Sequence, residues 1–190
     1  MTELTDNAFT RRKLLGVFAG ITMVSAAPSF AGTPAFLKGA GNIRRVAMRS
    51  GRTGESIDMI YWIEGKYIKP ALDEINYFMR DWREDKIANI DRRQVDILAA
   101  AHHQLDTNEP FMMLSGYRTP RTNAMLRKKS RKVAQKSYHI KGMATDVRLS
   151  SRSVNQISRS ALAFHAGGVG RYSRRNFVHM DCGPLRSWGA

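Results

Sequence analysis

The sequence predicts an α+β fold, in which short strands and amphipathic helices follow one another in an order that does not require a parallel sheet. Strand-like runs occur at 43–48, 56–63, 111–114, 143–149 and 176–181. Apolar residues recur at helical spacing across 68–82, and helical segments are expected again at 91–105, 119–129 and 153–165. There is no internal repeat and no long low-complexity tract.

Residues 1–31 read as an export signal. Arg11, Arg12 and Lys13 precede an apolar run from Leu14 to about Val24, and small residues follow, ending Ser29-Phe30-Ala31-Gly32. A positive start, a short apolar stretch and an Ala-x-Ala-like end describe a bacterial secretory signal, and the run is too short for a comfortable membrane span. The arginine pair directly before it resembles a twin-arginine signal. A membrane anchor and an incidental basic helix are the competing readings. Residues 32–42, small and glycine-rich, read as a linker, and 43–190 as one domain.

Within that domain, strands at 43–48 and 56–63 are joined by a turn. Ile68, Leu72, Ile75, Phe78, Met79 and Trp82 form one apolar stripe, read as the core-facing side of a helix. Asp91 is the expected N-cap of the second helix. The short strand at 111–114 leads into Ser115-Gly116-Tyr117-Arg118, and the next helix carries Pro120 in its first turn. A basic loop covers 127–136. Ser153 caps the last helix, Gly167-Gly168-Val169-Gly170 is expected to make a tight turn, and Pro184 stops the final strand.

Of the 190 residues, 43% are hydrophobic and 25% charged, which excludes a disordered or fibrous chain. The formal net charge is +15. Residues 1–31 hold three basic and two acidic residues, so the part after them keeps a net +14. Such a surplus attracts polyanions, whether nucleic acid, anionic lipid or an acidic wall polymer. After export, nucleic acid is a poor partner and a wall polymer a good one. The basic residues are also spread widely rather than gathered on a nucleic-acid-binding motif. One cysteine, Cys182, excludes an intramolecular disulfide and a cysteine-rich zinc finger. No G-x-S-x-G elbow and no G-x-x-x-x-G-K-[ST] phosphate loop is present.

Five histidines are present. His102 and His103 are neighbours on a helix, where only one can face a given partner. His165 ends a helix, where a cation suits the dipole. His139 opens a stretch, His139-Ile140-Lys141-Gly142-Met143-Ala144-Thr145-Asp146, in which a histidine, a small-residue turn and an aspartate on a strand can present two ligands to one point. His179 lies in Phe177-Val178-His179-Met180-Asp181, and alternation puts it on one face with Asp181, while Met180 and Cys182 point the other way. Two histidines and a carboxylate suit a zinc site with its fourth position open. On spacing alone the plainer reading, two ordinary histidines each satisfied locally, is the favoured one, because two histidines forty residues apart are weak evidence of a site.

The ordered set Ser115-Gly116-Tyr117-Arg118-Thr119, Ser137-Tyr138-His139, Gly142, Ala144, Asp146 and Phe177-Val178-His179-Met180-Asp181-Cys182-Gly183-Pro184 resembles the LAS metallopeptidases, the group of the D-Ala-D-Ala peptidases that shares its fold with the hedgehog signalling domain. With Arg11-Arg12-Lys13-Leu14-Leu15, Thr53-Gly54-Glu55-Ser56-Ile57, the glycines at 167–170 and the ending through Arg186 and Trp188, it is most similar to the murein endopeptidase K branch, over most of the chain.

The resemblance implies a small antiparallel sheet carrying the zinc site, flanked by helices. It implies that His139, Asp146 and His179 bind Zn2+ and that the substrate is a peptide cross-link of peptidoglycan, cut outside the cytoplasm in the periplasm. Arg118 is then the candidate cation for the oxyanion or for a substrate carboxylate, with a surface ion pair as the alternative. Several relatives carry an acidic residue three positions before the last histidine, where this chain has Asn176. Asp181 is the best remaining acid, either as general base or as a group that orients His179. Ser137 and Tyr138 are expected to line the substrate site. A carboxypeptidase trimming stem peptides, and a zinc-containing wall-binding module without catalysis, remain alternatives. No stable membrane insertion is expected once the signal is removed.

Overall fold

The computed structural model describes residues 42–189. The export signal expected at 1–31, and all but the last residue of the expected linker, lie outside the described residues. Eight strands form one sheet: β1 (Ile43–Ser50), β2 (Ser56–Ile63), β3 (Lys66–Tyr67), β4 (Phe111–Ser115), β5 (Ala144–Arg148), β6 (Gly168–Tyr172), β7 (Phe177–Asp181) and β8 (Arg186–Trp188). Among the described residues four helices flank it: α1 (Lys69–Phe78), α2 (Arg92–Gln104), α3 (Pro120–Lys129) and α4 (Val154–Leu162). The class is α+β, as expected.

The strand order is β3-β2-β1-β4-β5-β7-β6-β8. The sheet is thus larger than the small antiparallel one expected, and β1–β4 and β6–β8 are parallel pairs. The four adjacent strands β4, β5, β7 and β6 are antiparallel throughout. Asp146 lies on β5, and His179 and Asp181 lie on β7.

The helices begin where local chemistry satisfies their free N–H groups. Asp91 accepts from Arg93 N, Thr119 from Thr122 N, and Ser153 with Gln156 closes a capping box. α2 packs on β1, β7 and α4, and α4 on β6 and β7, so both cover one face of the sheet. Val147, Val178 and Met180 are buried there, and Gln94 of α2 donates to Thr145 Oγ1 and Met180 O across the interface. The alternation of the strands then turns Asp146 and His179 to the opposite face.

Three local expectations are corrected. Trp82 does not continue the α1 stripe. The helix ends at Phe78, and Trp82 lies beyond it, 39% exposed, with the Arg83 guanidinium stacked 4.2 Å from its ring. The stretch 167–170 is not a turn, because Gly168–Tyr172 is strand β6. Its glycines answer to close approach rather than to a bend. A Cβ on Gly167 would stand 1.8 Å from Asp181 O. Gly167→Ala is therefore expected to push β7 aside and cost at least about 1–3 kcal/mol, read from the midpoint of denaturant unfolding. An unchanged midpoint would show that the strands can part there at no cost. His165 lies beyond the end of α4 with φ +48°, its N–H donating to Leu162 O, so it is not part of the helix's last turn.

Candidate metal centre

His139 sits in a single 3-10 turn, Tyr138–Lys141, whose ends are locked. Ser137 caps it, its hydroxyl accepting from His139 N at 3.3 Å, and Gly142 leaves it with φ +66°, a left-handed conformation that favours glycine. Asp146 and His179 are direct partners across the β5–β7 pair, so both side chains rise from one spot on the sheet. Arg118 N donates to His139 O, tying the turn to the segment after β4.

These three side chains meet. His139 Nε2 is 3.3 Å from His179 Nδ1 and 3.3 Å from Asp146 Oδ1, and His179 Nδ1 is 2.9 Å from Asp146 Oδ1. Ligands about 2.0–2.1 Å from a tetrahedral zinc stand roughly 3.3 Å from each other, so the spacing fits such an ion. The tautomers fit as well. His139 Nδ1 donates to Gly116 O at 2.7 Å, and His179 Nε2 donates to Asp181 Oδ2 at 2.9 Å. Each ring thereby turns its lone pair toward the shared point. Two lone pairs and a carboxylate oxygen aimed at one another call for a cation. Among the described residues these three are the one group of histidine, cysteine and acidic side chains able to hold a metal.

The electrostatics agree. Burial pushes His139 below its ordinary pKa. Burial alone would raise Asp146, but the charges and hydrogen bonds of His139 and His179 hold it well below the usual carboxylate range. Burial opposes the charged form of His179, yet Asp146 and Asp181 hold it above its ordinary value. As pH falls, protons therefore compete for His179 first and for His139 only later. Metal affinity is expected to drop about tenfold per pH unit on acidification through the His179 pKa, with one proton displaced and not two. Competition with a chromophoric chelator at several pH values measures that slope.

The other expected residues take different places. Arg118 donates from Nη2 to Asp146 Oδ2 at 2.6 Å and from Nε to Ser115 Oγ at 2.7 Å, so one donor holds the Asp146 carboxylate and a second is anchored on Ser115. Its Nη1 makes no hydrogen bond among the described residues. Asp181 is fully buried behind the His179 ring, on the side away from the metal point. It accepts from His179, Gly183 N and both terminal nitrogens of Arg186. Burial opposes its ionisation, but the His179 and Arg186 hydrogen bonds hold it at about 2. The stability this provides is present above the ordinary carboxylate value and is lost as pH falls through about 2. Asn176 is exposed and left-handed, at φ +50°, after a short 3-10 turn. No carboxylate besides Asp146 and Asp181 bonds either histidine of the cluster among the described residues.

Ser137 turns its hydroxyl to the backbone, while Tyr138 is half-buried with its ring facing the Arg186 guanidinium at 5.0 Å. Cys182 is buried, and its thiol is pushed up to about 12, chiefly by burial, so it is inert. Trp188 went unassigned in the sequence, yet its ring lies 5.3 Å from that of His179. Arg186 and Trp188 are two apart on a short strand and so share a face, which was the signal available.

The chain matches the family model described as Peptidoglycan L,D-endopeptidase MepK (Peptidase_M15_2) over residues 38–188. It is 41% identical over 179 residues to the peptidoglycan L,D-endopeptidase MepK of Escherichia coli strain K12, covering 94% of this chain and 96% of that protein. The protein of the same name in Shigella flexneri shows the same identity and coverage. The probable peptidoglycan L,D-endopeptidase MepK of Haemophilus influenzae is 34% identical over 150 residues, 76% of this chain and 78% of its own length.

Proposed function

This chain belongs to the Peptidase_M15_2 family, and from that premise we propose that it is a zinc-dependent endopeptidase hydrolysing L,D peptide cross-links of peptidoglycan in the periplasm. The observation that supports it most is the convergence of His139 Nε2, His179 Nδ1 and Asp146 Oδ1 on one point. That donor set would hold zinc, which, when bound with an open position, polarises a carbonyl and lowers the pKa of a bound water toward about 7.

The chain's own residues supply the positioning. Gly116 O and Asp181 orient the two imidazoles from behind, and Arg118 orients Asp146. This favours the orienting role for Asp181 over that of general base, since its oxygens are occupied by His179, Arg186 and Gly183 N. Arg118 Nη1 is the donor left to meet a substrate oxygen or carboxylate. Tyr138 and Trp188 flank the centre and would wall the cleft in which a stem peptide lies. Residues 43–190 form the catalytic domain in this reading, and 1–31 a twin-arginine signal that delivers it across the membrane. The net charge of +14 beyond residue 31 would hold the enzyme on the carboxylate-bearing polymer.

Two observations favour a second reading, a zinc-containing wall-binding module: position 176 carries an asparagine, and Asp181 is turned away from the metal point. Defined cross-linked muropeptide dimers decide between them. Incubation with the zinc-loaded protein and mass spectrometry of the products should show L,D-linked dimers converted to monomers, with D,D-linked dimers intact. Shortened stems on intact dimers would make it a carboxypeptidase. Unchanged dimers in the presence of bound zinc would support the binding module.

A further inference from the structure

Arg186 stands at the start of β8, five residues beyond Asp181, and folds back onto it. Its Nη1 donates to Asp181 Oδ1 at 3.0 Å and its Nη2 to Oδ2 at 2.6 Å, a two-pronged grip on a carboxylate that is fully buried. The guanidinium is held between two rings, 5.0 Å from Tyr138 and 5.0 Å from Trp188. Nη1 also donates to Pro184 O at 2.9 Å.

The surroundings are cut to admit this arrangement. A Cβ on Gly168 would lie 2.5 Å from both Arg186 Nη1 and Asp181 Oδ2. One on Gly183 would lie 2.6 Å from the Tyr138 ring, and one on Gly170 2.5 Å from the Trp188 ring. Three glycines therefore leave the space that the arginine and its two aromatic walls occupy. The parallel pairing of β6 with β8 sets Gly168 opposite Arg186 and Gly170 opposite Trp188.

We propose that Arg186 is a positioning residue of the metal centre, fixing the orientation of Asp181 and through it the ring orientation and tautomer of His179. The proposal rests on the metal reading above. Asp181 Oδ2 accepts from both Arg186 and His179 Nε2, so the direction of that oxygen decides which nitrogen of His179 faces His139 and Asp146. A carboxylate free to rotate would let the ring turn, and a guanidinium fork prevents rotation because it binds both oxygens at once. A lysine brings the charge but only one point of contact.

The test uses the full chain with Co2+ as probe, comparing wild type, Arg186→Lys and Arg186→Gln. Cobalt affinity, the visible d–d spectrum and the thermal midpoint of the metal-free protein are read for each. The expected result is a loss of affinity of about 10–100-fold for Arg186→Gln, with a shifted spectrum, and an intermediate affinity for Arg186→Lys. In activity, kcat should fall with KM little changed. A lower midpoint with wild-type affinity and spectrum would overturn the proposal, since a merely structural ion pair predicts that pattern. If Arg186→Gln fails to fold, Arg186→Lys carries the test, and a wild-type spectrum and affinity in it would overturn the proposal. Wild-type protein that binds no Co2+, or binds it unchanged after His179→Ala, would instead overturn the metal reading itself and this proposal with it.

Discussion

His179→Ala is expected to abolish metal binding and hydrolysis together. His179 Nδ1 lies 2.9 Å from Asp146 Oδ1 and 3.3 Å from His139 Nε2, so removing it leaves two ligands where three define an open catalytic site. The Lewis-acid contribution of a bound metal is worth several kcal/mol, and about 4 kcal/mol is roughly a 10³-fold loss of rate. His179 is a better choice than Asp146, whose removal would also strand the nearly buried Arg118 guanidinium. It is also better than His139, which is more deeply packed. Metal content after dialysis and activity on cross-linked muropeptides check the prediction. His103→Ala, on the exposed face of α2, should leave both unchanged.

The largest expected effect on stability lies elsewhere, at Asp96 of α2. Its carboxylate is buried and takes three bonds, from Arg44 Nη1 at 2.9 Å, Tyr61 OH at 2.8 Å and Tyr67 OH at 2.6 Å. Arg44 is buried too, its guanidinium 3.8 Å from the centre of the Trp62 ring and its Nε without a partner. Asp96→Ala leaves that arginine charged, buried and unpaired, which costs about 3–5 kcal/mol. The double replacement Arg44→Met with Asp96→Leu should recover most of the loss, because the desolvation of both charges disappears. Denaturant unfolding of the metal-free protein measures both. A loss below about 1 kcal/mol in Asp96→Ala would show that water reaches Arg44.

These two sites differ in how far the sequence revealed them. The alternation of Phe177-Val178-His179-Met180-Asp181 assigns His179 and Asp181 to one face and Cys182 to the other, and the burial of Met180 and Cys182 agrees. The helix starts at Asp91, Thr119 and Ser153 were legible because capping is local chemistry. Period two gives a face, however, and not a position along it. Nothing local shows that Asp181 sits behind the His179 ring, because that depends on Arg186 returning from β8.

The same limit explains the glycines at 167–170. Read alone they suggest a turn, while their cause is the close approach of Asp181, Arg186 and Trp188 from other strands. The parallel pairs β1–β4 and β6–β8 join segments far apart or weakly patterned, so the eight-stranded sheet could not be read from local periodicity. The buried Arg44–Asp96 pair is equally invisible, since its partners are 52 residues apart.

One metal held by His139, Asp146 and His179 is expected to drive cleavage of peptidoglycan cross-links. Digestion of purified peptidoglycan by the metal-loaded protein, with products separated by mass spectrometry, tests it most directly. Cross-linked dimers should be converted to monomers, an activity lost on chelation and restored by zinc. Dimers that disappear equally well in the presence of chelator, or that stay intact while zinc is bound, would contradict it.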